Sequence, residues 1–131
     1  MEASASYLST IKHHRPVDEE GGEELLAPAH IDCSLLTIIY NPHCGLQVRI
    51  SDANDGQWVD IPPASVGACR PVVLVGAELE RATGGALKAM EHRVVKSKGF
   101  ASMPHQSLVF HLRACHTAML APLNLAHKQV R

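Results

Sequence analysis

The chain has 131 residues, of which 46% are apolar and 19% charged, and its formal net charge is -1. That length suits one domain rather than two, with the composition of a globular protein. A charge so near zero gives no electrostatic pull toward nucleic acid or an anionic membrane surface, and an aromatic content of 4% is too low for a base-stacking platform.

The N-terminal stretch "MEASASYLSTIKHHRPVDEE" has no apolar signal-peptide core, and no window of the chain is long and apolar enough to cross a membrane, so a cytoplasmic protein is expected. Residues 1–29 read as a poorly ordered leader. In it "SYLSTIK" suits a strand or a helical turn, and the acidic "VDEEGGEE" suits a solvated linker. From residue 30 the character changes to short strands. "CSLLTIIY" (33–40) is β-branched and nearly continuously apolar, as in a strand covered on both faces. "GLQVRI" and "QWVDI" flank "SDANDG", whose Asn, Asp and Gly favour a turn, so 45–61 reads as a hairpin. Pro62-Pro63 separates it from the strand "RPVVLVG", and "GAELERATGG" suits one helical turn. "AMEHRVV" and "QSLVFHLR" are further strands, joined by "KSKGFASMP". Residues 117–131 read as a tail. Short strands at such spacing indicate an all-β sandwich or barrel. About six strands fall between 33 and 113, fewer than the eight of a closed jelly roll.

Four cysteines (Cys33, Cys44, Cys69, Cys115) form no CxxC pair and are expected as reduced thiols in small core spaces. Of nine histidines, His13, His14, His43 and His127 fall in polar leader, turn or tail segments and are expected to be solvated. His92, inside the strand "KAMEHRVV", is different. It either packs with a satisfied hydrogen bond or ligates something held by residues elsewhere. "His30-Ile31-Asp32" supplies partners, because residues two apart on a strand point to the same side. Two imidazoles and one carboxylate on one face of a metal leave coordination positions open, the arrangement of non-haem Fe(II) oxygenases. Alone, HxD and a later histidine are a weak signal.

The neighbouring residues add to it. In order come HxD with a "TII" strand, "GLQV", "QWVDIPP", "VVLVG", "LERATGG" and "HRVV". Over residues 30–113 this sequence resembles the C-terminal core of the isopenicillin N synthase-like 2-oxoglutarate/Fe(II) dioxygenases. The resemblance implies a double-stranded β-helix, or jelly roll, incomplete on its N-terminal side, with the core at 30–116. It implies Fe(II) held by His30, Asp32 and His92. It also implies 2-oxoglutarate as co-substrate, dioxygen, a small-molecule substrate, and ascorbate to keep iron reduced. Family members carry Arg-x-Ser on the last core strand to grip the far carboxylate of 2-oxoglutarate. Here "His105-Gln106-Ser107" stands in that place, so His105 and Ser107 are the expected co-substrate residues. Imidazole lacks the guanidinium fork and is largely neutral above its ordinary pKa of about 6.5, so anchoring is expected to be weaker and to tighten at lower pH. Arg113 lies too far along the strand to substitute, and His111, on the same face, is expected to pack or to stand behind the metal ligands. Thr37 and Gln47 are candidates to touch co-substrate. Glu91 and Arg93 alternate away from the metal, Trp58 is expected in the core or at its rim, and Lys88 in solvent. Unpaired sheet edges invite self-association. An alternative reading is a truncated remnant that binds metal without catalysis.

Overall fold

The computed structural model describes residues 4–13, 25–50, 56–63, 70–96, 105–115, 117–120 and 122, and for His13 and His105 the backbone only. Most of the turn "SDANDG", most of "KSKGFASMP", and His14, Cys69 and His127 lie outside the described residues. Among those described, strands β1 (Tyr7–His13), β2 (Leu25–His30), β3 (Leu36–Tyr40), β4 (Leu46–Ile50), β5 (Gln57–Asp60), β6 (Val72–Val75), β7 (His92–Val95) and β8 (His105–Leu112) alternate with a single helix, α1 (Ala77–Ala82). The strands form two antiparallel four-stranded sheets, ordered β1-β8-β3-β6 and β2-β7-β4-β5. This is the jelly-roll arrangement expected from the sequence.

Two findings correct the reading of the N-terminal third. β1 and β2 both lie ahead of or up to residue 30, within the expected leader, and they bring the strands to eight. β1 pairs along its whole length with β8, from Tyr7↔His111 to His13↔His105. Second, His30 and Asp32 do not share a strand: His30 ends β2 in one sheet, and Asp32 lies in the segment that crosses to β3 in the other. Pro28 is tolerated within β2 because that strand is an edge and its pairing is irregular between Leu25 and His30.

Alternation selects the inner faces. In β3, Thr37 and Ile39 are buried while their neighbours are only half-buried, and they pair with His111 and Val109 of β8. Ile39, Val109 and Leu74 from one sheet meet Leu46 and Val48 from the other to form the core. Each such burial is worth roughly 1.5–3 kcal/mol. On the outer side of β7, Arg93 donates to Gln47 Oε1 at 2.7 Å and lies over the Trp58 ring at 4.4 Å, while Glu91 pairs with Arg49 at 3.1 Å. Gln47 also donates to Asp60, so it points away from the space between the sheets and is not a co-substrate contact. Lys88 is exposed and reaches Glu80. Cys33 is exposed and Cys44 and Cys115 half-buried, so none of these reduced thiols fills the core as expected.

The crossing segment is clipped to the start of α1. Gly76 N–H donates to Leu35 O, Ala77 N–H to Asp32 O and Glu78 N–H to Ser34 O, at 3.1, 2.9 and 3.0 Å. Gly76 allows this approach: its φ of -96° suits any residue, but a Cβ there would collide with the carbonyl and hydroxyl oxygens of Ser34.

Candidate metal centre

His30 and His92 are cross-strand partners in the β2–β7 pair, and their ring centroids stand 4.3 Å apart. The clipped crossing segment then carries Asp32 beneath them. His30 Nε2 lies 3.6 Å from Asp32 Oδ1 and His92 Nε2 3.7 Å from Asp32 Oδ2. A ligand atom of each residue lies within 4.8 Å of the other two. Cross-strand pairing and a crossover, rather than alternation along one strand, bring together the three residues singled out from the sequence.

Both rings are oriented from behind. His30 Nδ1 is 2.8 Å from Pro28 O, and His92 Nδ1 is 3.2 Å from Met90 O. A carbonyl only accepts, so each Nδ1 carries the proton and each Nε2 presents a lone pair. His92 is 4% exposed, and burial pushes its pKa below the ordinary 6.5, against the raising effects of the Met90 carbonyl and Asp32; His30 and His111 lower it further. The neutral imidazole is the form that ligates a metal. His30 is half-open and marks the outer edge of the site.

The carboxylate is held as well. Thr37 Oγ1 donates to Asp32 Oδ2 at 2.6 Å. That uses the only hydroxyl proton of Thr37, so the Ser34 hydroxyl, 2.9 Å away, must donate to Thr37. The same count makes His111 Nδ1, at 3.3 Å from Thr37 Oγ1, a donor. Ser34 and Thr37 are fully buried, and His111 stacks on Tyr7 with centroids 4.6 Å apart. Thr37 thus braces the carboxylate rather than lining the open space as a ligand contact.

A cleft enclosing about 550 Å³, its open mouth included, runs from the three residues between the sheets. Ile39, Val109, Leu46 and Val94 line its middle, and Asn41 and Ser107 lie along it too. Ser107 therefore stands in the cleft as expected, whereas the His105 side chain is outside the described residues. His111 also borders the cleft and stands close to Asp32 Oδ2 at 3.9 Å, the second of its two expected places. Its signal was its even spacing from Ser107 in β8. Asn41 and Ser34 were not singled out; the former continues the Thr37, Ile39 alternation by one step.

The set fits a divalent ion: two imidazole nitrogens with free lone pairs, one carboxylate, and proton-count constraints that fix all three. Comparison with known proteins gives the family. The sequence model of a family described as the 2OG-Fe(II) oxygenase superfamily matches residues 6–110. Kihadalactone A synthase of Citrus sinensis is 34% identical over 97 residues, 72% of this chain and 28% of that protein. 1-Aminocyclopropane-1-carboxylate oxidase 4 of Arabidopsis thaliana is 36% identical over 69 residues, 51% of this chain and 19% of that protein. A crystal structure from Shewanella oneidensis described as an oxygenase superposes with a TM-score of 0.74 at 25% identity, covering 89% of this chain and 41% of that one. A Neurospora crassa protein crystallised with alpha-KG and thymine superposes at 0.63 with 26% identity, covering 72% and 28%. The chain thus spans under half the length of each of these relatives.

Proposed function

The chain belongs to the 2OG-Fe(II) oxygenase superfamily, and from that premise we propose that it is an Fe(II)-dependent dioxygenase coupling 2-oxoglutarate decarboxylation to oxidation of a small organic substrate. His30, Asp32 and His92 would hold the iron. Held there, iron would supply the redox chemistry by which dioxygen couples 2-oxoglutarate decarboxylation to substrate oxidation.

The rest is done by the chain's own groups. The Pro28 and Met90 carbonyls keep both imidazoles in the tautomer that offers Nε2. Thr37 occupies Asp32 Oδ2, which leaves Oδ1 with its lone pairs free. Ile39, Val109, Leu46 and Val94 exclude water from the middle of the cleft. Ser107, with His105 beside it on β8, receives the far carboxylate of 2-oxoglutarate. The observation that carries this reading is the pair of Nδ1-to-carbonyl contacts behind two histidines that converge on one carboxylate.

The test is succinate formation from 2-oxoglutarate with Fe(II), dioxygen and ascorbate. Stoichiometric Mn(II) uptake measured alongside should be lost in His92→Ala. A second reading, a metal-binding remnant without catalysis, is favoured by His105 standing where the resemblance expects the arginine that grips 2-oxoglutarate. Metal uptake without succinate would select it.

A further inference from the structure

The cleft is polar at both ends and apolar between them. The end remote from the three histidine and aspartate ligands holds a group that no motif of the sequence marks. Asn41 follows β3 directly, and the β3–β8 register, which ends at Tyr40↔Leu108, continues to place it opposite Ser107. It lies on the inward face with Thr37 and Ile39, and its side chain is buried at 7% exposure. Asn41 Oδ1 accepts the His43 backbone N–H at 3.1 Å. The amide orientation is thereby fixed, Asn41 lines the cleft, and its Nδ2 has no hydrogen-bond partner among the described residues. Nδ2 is not among the fully enclosed polar atoms that lack a partner, so it keeps access to the cleft, where a ligand acceptor can take the place of water.

We propose that Asn41 joins Ser107 as a neutral donor to the carboxylate of the co-substrate remote from the metal. This rests on the dioxygenase reading above. Thr37, which touches Asp32, and Asn41 are four residues apart on one strand, or about 13 Å between Cα atoms at ~3.3 Å per residue. Side-chain reach at both ends shortens that span to the length of a short dicarboxylate, and Ile39 and Val109 between them suit its methylenes. The class of ligand is a 2-oxo acid with an acceptor at its other end.

Asn41→Asp tests the assignment, because it keeps an oxygen for the His43 N–H and replaces the donor with an anion. The Mn(II)-loaded full chain would be titrated calorimetrically with 2-oxoglutarate, with pyruvate, which lacks the far carboxylate, and with the 5-amide of 2-oxoglutarate. Asn41→Asp should weaken 2-oxoglutarate by about tenfold or more, leave pyruvate unchanged, and reverse the preference between 2-oxoglutarate and its amide. Asn41→Ala, which removes the donor without adding charge, should weaken 2-oxoglutarate about tenfold or somewhat less and spare pyruvate. Unchanged 2-oxoglutarate affinity, or equal loss for both acids, overturns the proposal. Wild-type chain that binds pyruvate as tightly as 2-oxoglutarate overturns the Asn41 role alone. Failure to take up Mn(II) at all overturns the dioxygenase reading with it.

Discussion

Replacing Thr37 by valine removes one hydroxyl and almost no volume, so its effect isolates the brace behind the carboxylate. In the wild-type chain the 2.6 Å bond from Thr37 Oγ1 to Asp32 Oδ2 is charge-assisted and fully buried at the threonine. A bond of that kind contributes roughly 1.5–3 kcal/mol, and losing a hydrogen bond behind a metal ligand typically costs about 10–100-fold in metal affinity. The two estimates agree, since about 1.4 kcal/mol corresponds to one decade. Valine also strands the Ser34 hydroxyl and His111 Nδ1, which both donate to Thr37, so the metal-free chain should lose about 1–3 kcal/mol of stability. The assay is Mn(II) affinity by competition with a chelating dye, with urea unfolding of the metal-free chain in parallel. Thr37→Ser should restore most of both. If Thr37→Val loses stability but binds Mn(II) like the wild type, the hydroxyl only supports the fold and the positioning argument is wrong.

Two further outcomes follow from the clip between the crossing segment and α1. Gly76→Ala forces a methyl group onto the Ser34 carbonyl and hydroxyl, and a clash with backbone costs about 1–3 kcal/mol, read as a lower urea midpoint. Because the clip also positions Asp32, Mn(II) affinity should fall with it. The Glu80 carboxylate is held below its ordinary value of 4.5 by the Ala89 backbone N–H first and by Lys88 second. A lowered carboxylate pKa stabilises the fold at pH values above 4.5, and that contribution disappears as pH falls through the folded-state value. Urea midpoints between about pH 6 and 3 should therefore fall less steeply in Glu80→Gln. An unchanged slope would show that the carboxylate bonds do not tie α1 to the segment before β7.

The sequence made His30, Asp32 and His92 legible because their chemistry and neighbouring motifs stand out residue by residue. It gave a wrong account of how they meet. Alternation in HxD is a local rule, whereas the actual approach needs the pairing of His30 with His92 and the crossover at Asp32, both long-range facts. β1 was legible only as one of two options, a strand or a helical turn, for a similar reason. "YLSTIKH" is a weak strand by composition, and what holds it is seven register partners in β8, about a hundred positions away. Gln47 and Cys33 went astray because apolar neighbours say that a segment is buried, not which side chain faces which layer. Thr37, His111 and Asn41 could have been grouped earlier, since even spacing in β3 and β8 puts all three on one face. Their roles depend on proton counts at single oxygen atoms, which no pattern of residues displays.

The chain has one tryptophan and two tyrosines, and the fold sorts them by layer. Trp58 lies in β5, under the guanidinium of Arg93, whereas Tyr7 and Tyr40 both belong to the β1-β8-β3-β6 layer. Each layer therefore carries its own native chromophore. Indole emission and phenol absorbance followed in one denaturation would tell whether the two halves of the barrel part together or one after the other, without any label being attached.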